Sequence, residues 1–223
     1  MKKLKLIHKE IDYDNSPLLL YSAPADNWEK DWVVKSGEWH YENGSLIGIE
    51  PGNKGGILFS RKRYDKNVMM SFTMATVLPA TRDLNAVFCA HWDDKTDYLS
   101  DSYICGLNGW FEDKFGIERQ GGFRAICGGR KFEPGKEYRM TVGAINGHCF
   151  MFVEDELLME YVDPKPLLEG HIGFSAYCTI LKIRDIEIRE IVWQDKKQSY
   201  QPEFNYEIYT GDRIEKSIKE KKR

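Results

Sequence analysis

The chain has 223 residues, 42% of them hydrophobic and 30% charged, with 32 Lys and Arg against 35 Asp and Glu for a net charge of −3. That balance excludes a nucleic-acid binder, which needs a concentrated basic surface. No run reaches the ~18 apolar residues that cross a bilayer, so no membrane partner is expected.

In chain order, residues 1–17 are polar with scattered apolar positions, the pattern of an arm or a first edge strand. The start is basic but carries no apolar run of the signal-peptide kind. Leu18–Tyr21 is a short apolar run, and Asn27–Trp32 fits one turn of helix. Asn43-Gly44 then separates two strand-like runs, a strong hairpin signal because both turn positions need φ > 0. Gly56–Ser60 is a strand, and Val68–Val77 places Val68, Met70, Phe72 and Met74 at period two.

The richest stretch runs from Asp83 to Arg130. Strand runs at Ala86–His91, Ser102–Leu107, Phe115–Arg119 and Arg124–Cys127 are separated by an acidic loop from Asp93 to Asp101, by Asn108-Gly109 and by Gly121-Gly122. Lys136–Ile145 and Cys149–Val153 flank a second hairpin turn at Asn146-Gly147, and Leu157–Tyr161 follows Asp155-Glu156. Gly170–Tyr177 and Thr179–Ile191 end the sheet region. In the last of these the apolar phase slips at Asp185, the signature of a β-bulge. After Trp193 the texture turns polar, and Ile214 and Ile218, four apart, predict a terminal helix.

Many short strands, Asn-Gly turns and almost no helix predict an all-β sandwich or barrel. No linker or internal repeat divides it, so the expectation is one domain over 1–193 with an extension over 194–223 that docks on a partner subunit or a second copy of the chain. Cys89, Cys105, Cys127, Cys149 and Cys178 are odd in number and sit in apolar runs. They read as free thiols of a reducing compartment, and a cytoplasmic location is expected.

The order Trp32, Gly37, Trp39, Asn43–Leu46, Tyr138–Val142, Asn146-Gly147, Gly170–Phe174 and Asp185–Ile188 resembles the concanavalin A-like jelly roll of laminin G-type domains and lectin/glucanase proteins. This implies a jelly-roll β-sandwich of two antiparallel sheets. Leu20-Tyr21, Phe123-Arg124, Cys127, Arg130-Lys131 and Gly170–Phe174 are most similar to the YesU-like (DUF1961) family, found among genes for the use of plant glycans. The resemblance covers roughly residues 18–190. A neighbouring resemblance is to the 3-keto-disaccharide hydrolases (DUF1080): Asn85–Phe88 matches their Asn-led strand. Tyr103–Leu107 lacks the Glu and Gln of their second strand. The E-x-D-x-x-E strand of retaining laminarinases is also absent, so that double displacement is not expected.

The function expected is the binding and cleavage of a small imported glycoside, by hydrolysis or elimination, in a groove across one sheet. The alternative is a binding module without catalysis. His91, Asp93 and Glu118 are the candidate acid/base residues, because such cleavage needs one proton donor and one acceptor. Each also has a plainer reading: His91 and Asp93 as a pair at a loop mouth, Glu118 as the partner of an arginine.

Trp92, Tyr103, Asn108, Trp110, Arg119, Arg124 and Tyr177 are the candidate substrate contacts, the rings by stacking on sugar C–H faces and the polar groups by bonding hydroxyls. Asn108 reads more simply as a turn residue and Tyr177 as core. Glu118 and Arg119 are adjacent in a strand and face opposite ways. Arg124 either grips a uronate or pairs with a Glu of the chain. His148 is expected at the surface. No cofactor is implied with certainty; Asp97 and Asp101 leave room for a calcium-like cation, which needs several further oxygens.

Overall fold

The computed structural model describes residues 1–22, 27–52, 54–65, 67–196 and 219–220. Two large antiparallel sheets face each other. One has nine strands, in the order Arg124–Gly128, Lys114–Arg119, Tyr103–Leu107, Leu84–Asp93, Glu169–Ala176, Gly56–Ser60, Trp32–Val34. Tyr98–Ser100 is added on Leu84–Asp93, and Tyr64–Asp65 on Glu169–Ala176. The other has eight, in the order Glu156–Val162, His148–Val153, Tyr138–Ile145, Val68–Thr76, Thr179–Glu190, Ser45–Glu50, Glu38–Glu42, with Leu18–Ser22 on Thr179–Glu190. This is the two-sheet sandwich that the resemblance implied, one of the two all-β architectures that the strand pattern left open.

Between the sheets lies one continuous core that includes Trp32, Phe72, Met74, Phe88, Tyr103, Ile117, Phe174 and Ile188. Alternation puts every second residue of each strand there and turns its neighbour outward. Asn43-Gly44 and Asn146-Gly147 close tight hairpins with all four residues at positive φ. The register of Thr179–Glu190 against Val68–Thr76 shifts between Arg184 and Glu187, with Asp185 at φ 54°, so the bulge lies where the phase slip placed it. Trp28–Lys30 forms a short 3-10 turn within the predicted helical turn.

Residues 1–17 are neither an arm nor a simple edge. Lys3–Lys5 and Lys9–Asp12 pair with Trp193–Asp195 in a third, three-stranded sheet. Leu4, Leu6, Ile11 and Tyr13 bury Met69, Ile145, Phe150 and Phe152 on the outer face of the eight-stranded sheet. Tyr13 is fixed there by hydroxyl bonds to Ser71 Oγ (3.1 Å) and Glu187 Oε2 (2.9 Å). His148, expected at the surface, is buried. The strand His148–Val153 begins immediately at the turn, and its imidazole Nε2 meets Glu160 Oε2 at 2.9 Å from the neighbouring strand. The predicted C-terminal helix, its Ile214 and Ile218 and nearly all of the 194–223 extension lie outside the described residues.

Candidate functional site

One alternation rule decides which candidate residues meet. On the nine-stranded sheet Asn85, Val87, Ile104 and Glu118 face outward, while Leu84, Ala86, Phe88, Tyr103, Cys105 and Ile117 enter the core. Outward side chains from five adjacent strands line a cavity of about 290 Å³. Asp83 and Asn85 come from the strand Leu84–Asp93 and the residue before it. Ile104, Glu118, Gln120 and Arg124 come from the next three strands and their ends, Ser175 and Tyr177 from the strand on the other side. Tyr98 and Leu99 close one end and Trp110 another.

Glu118 is the best-held group in the cavity. Its side chain is only 9% exposed. It stands directly across from Arg124 in the strand register, and Arg124 Nε donates to its Oε2 at 2.6 Å. Trp110 Nε1 donates to the same oxygen at 2.7 Å. Oε1 has no hydrogen-bond partner among the described residues. The cross-strand position explains the pair: opposite charges facing one another on one sheet surface attract.

Asp83 forms the floor. It is 1% exposed and sits at φ 77°. Asn85 Nδ2 donates to its Oδ1 at 2.6 Å. Burial pushes the Asp83 carboxyl up from 3.8 to about 7, against the pull of the Asn85 bond and the Arg82 charge. Asp83 Oδ2 and Asn85 Oδ1 are buried without a hydrogen-bond partner of good geometry, an arrangement that costs about 1–3 kcal/mol per group, and the Tyr177 backbone N–H adds a further pull on the Asp83 carboxyl. Two glycines make the floor possible. A Cβ at Gly106 would lie 2.1 Å from Asn85 Oδ1, and one at Gly109 2.4 Å from Asp83 Oδ1.

The structure therefore brings together Glu118, Arg124, Trp110 and Tyr177 from the sequence-based candidates, Tyr177 outward and not in the core. The rest lie elsewhere. Tyr103 is fully buried between the sheets, where its hydroxyl donates to Asp163 Oδ2 (2.8 Å) and accepts from Leu167 N (2.9 Å). Arg119 faces the same way as Tyr103, its register partner, and pairs with Asp163 at 3.0 Å and Asp101 at 3.2 Å.

His91 follows the irregular register between Val87 and Ala90, with Cys89 at φ 45°. Its ring is away from the cavity, with Nε2 3.0 Å from Glu169 O and Nδ1 3.3 Å from Arg63 Nη2. Asp93 shapes its own loop, accepting from Lys95 N at 2.9 Å and Thr96 Oγ1 at 3.0 Å. Trp92 faces outward but packs on Phe59 edge-on, under Lys35 Nζ. Asn108 is a turn residue at φ 55°, bonded to Thr81 O and to Asp113 N.

Asp83, Asn85, Tyr98, Gln120 and Ser175 were not among the sequence-based candidates. Asn85 carried a usable signal, a polar residue inside an otherwise apolar strand. Asp101, a candidate cation ligand, is engaged by Arg119, and Asp97 is an exposed turn residue at φ 51°. Among the described residues no three His, Cys, Asp or Glu side chains converge as metal ligands do. A larger hollow of about 510 Å³ opens between Thr81, Arg82, Phe111 and Phe132. Its Asn108 and Asp113 are already bonded to the surrounding loops, Asp113 Oδ1 accepting from Phe132 N at 2.8 Å.

Solved structures share this architecture. A Bacillus subtilis protein of unknown function with a galectin-like fold superposes with a TM-score of 0.61 at 13% identity, over 78% of this chain and 99% of that one. The carbohydrate binding module CBM66 from Bacillus subtilis gives 0.59 at 12% identity, over 71% and 95%. The VIP36 exoplasmic/lumenal domain, solved with Ca²⁺ and Man3GlcNAc bound, gives 0.54 at 9% identity, over 75% and 88%. The chain is thus a β-sandwich of galectin-like, concanavalin A-like architecture. No protein-family model and no curated protein matches its sequence.

Proposed function

We propose that the chain binds a small saccharide in the outer cavity of its nine-stranded sheet and cleaves it by acid/base chemistry. The observation that carries this reading is one cavity that holds two carboxyl groups in contrasting environments beside an indole and two phenols. Asp83, buried with its carboxyl pushed up to about 7, is suited to keep or give a proton near neutrality. Glu118, paired with Arg124 and aimed by Trp110, is suited to accept one or to activate water.

A volume of about 290 Å³ lies near the lower end for small-ligand sites, which favours a short saccharide over a polymer. The resemblance to the YesU-like family, and the fold shared with a carbohydrate binding module and with a domain solved with Man3GlcNAc bound, support the ligand class. The five free cysteines support a reducing, cytoplasmic setting and hence an imported substrate.

The test is a calorimetric titration of the full chain with a panel of mono- and disaccharides, paired with chromatography for products. Trp110→Ala is expected to weaken binding by about tenfold, and Glu118→Gln to abolish product while binding persists. Binding with no product from any substrate would move the reading to a non-catalytic module. Absence of binding across the panel would refute it.

A further inference from the structure

We infer that the cavity selects its saccharide by charge, accepting neutral and amino sugars and rejecting uronic acids. The inference rests on the saccharide reading above and names the class that reading leaves open. The lining holds the Glu118 carboxylate, the Asp83 carboxyl that keeps its proton near neutrality, and one cation, Arg124. That cation is already paired with a carboxylate. Its Nε is bound to Glu118 Oε2 at 2.6 Å, which takes one arm of the side-on fork that Arg uses to grip a carboxylate and leaves an acidic sugar only the terminal nitrogens. Arg82, beside Asp83 in the chain, lines the neighbouring hollow and donates Nη2 to Gly109 O at 3.2 Å.

What the cavity offers instead is acceptors. Glu118 Oε1 is open on a carboxylate whose other oxygen is held twice. Asn85 directs its amide N–H to Asp83, so its oxygen is the end left without a partner, while the proton that buried Asp83 keeps near neutrality makes its Oδ2 a donor and not an acceptor. Such a surface pairs with hydroxyl or ammonium hydrogens. A uronate brings a further negative charge beside Glu118 and no donor in its place. Like charges a few ångströms apart in a partly screened site correspond to about tenfold in affinity.

The experiment titrates the full chain with methyl glycosides matched in stereochemistry, the glucose, glucosamine and glucuronic acid forms and the same three in the galacto series. Calorimetry or ligand-observed NMR supplies the readout. In the series that binds, the neutral and amino forms are expected to bind at least about tenfold tighter than the uronate. In Glu118→Gln, checked for folding by its thermal melt, the gap between amino sugar and uronate should shrink several-fold. A uronate that binds as well as its neutral counterpart overturns the charge selection and leaves the saccharide site standing. A gap unchanged in Glu118→Gln overturns its assignment to Glu118. Failure of both series to bind overturns the saccharide reading itself, and this inference with it.

Discussion

Replacing Asp83 by Asn is expected to stabilise the protein at neutral and alkaline pH. In the folded chain burial pushes this carboxyl from 3.8 up to about 7, with the Asn85 hydrogen bond and the Arg82 charge opposing the rise. In the unfolded chain it ionises near its ordinary value. Between those limits the native state keeps a proton that the unfolded state has lost, so stability falls as pH rises. Each pH unit is worth about 1.4 kcal/mol. Roughly three units give a penalty of about 4 kcal/mol, absent below about pH 4 and fully developed above about pH 7.

Asn has the same shape and no charge to lose, so it removes the penalty. Urea unfolding of parent and variant across about pH 5 to 8 isolates the effect, because the other titrating groups cancel in the difference. The gap should widen in favour of Asp83→Asn by about 3 kcal/mol over that range. Parallel pH profiles would show that Asp83 is not a buried proton-holding acid, and its part in the proposed chemistry would fall with that.

Tyr103→Phe removes a buried hydroxyl that serves both Asp163 and Leu167; a loss of about 2–4 kcal/mol is expected by denaturant titration, with saccharide affinity unchanged. His91→Ala should leave binding and turnover intact, because its ring meets Glu169 and Arg63 outside the cavity; loss of turnover in steady-state assays would return His91 to the site. Gly109→Ala places a methyl 2.4 Å from Asp83 Oδ1, and calorimetry should find saccharide binding weakened more than the thermal midpoint suggests. Deleting residues 197–223 tests the docking role of the extension: light scattering should record a fall in assembly size, and an unchanged assembly would exclude that role.

The fold was legible where the backbone itself constrains the sequence. Asn43-Gly44 and Asn146-Gly147 occupy positive-φ positions that few residues tolerate, and the phase slip at Asp185 recorded a real change of register. The third sheet was not legible, because its strands are short and its third member, Trp193–Asp195, is distant from the first two in sequence. The site was half legible for the same kind of reason. Glu118 and Arg124 face each other across one strand spacing, so their pairing follows from a short hairpin.

Asp83 and Tyr177 meet only because Leu84–Asp93 pairs with Glu169–Ala176, a contact across about ninety residues that no local spacing encodes. His91 and Tyr103 were misplaced by parity. A strand's alternation is readable from sequence, but which parity faces inward depends on the partner sheet, and the irregularity around Cys89 resets it before His91.

The most direct measurement is a crystal structure of the chain with its tightest-binding saccharide. The sugar should lie in the outer cavity of the nine-stranded sheet, in contact with Trp110 and Tyr177, with a hydroxyl or amine on Glu118 Oε1. A sugar seated elsewhere, such as the hollow beside Phe111 and Phe132, with the Glu118 carboxylate untouched, would contradict the account.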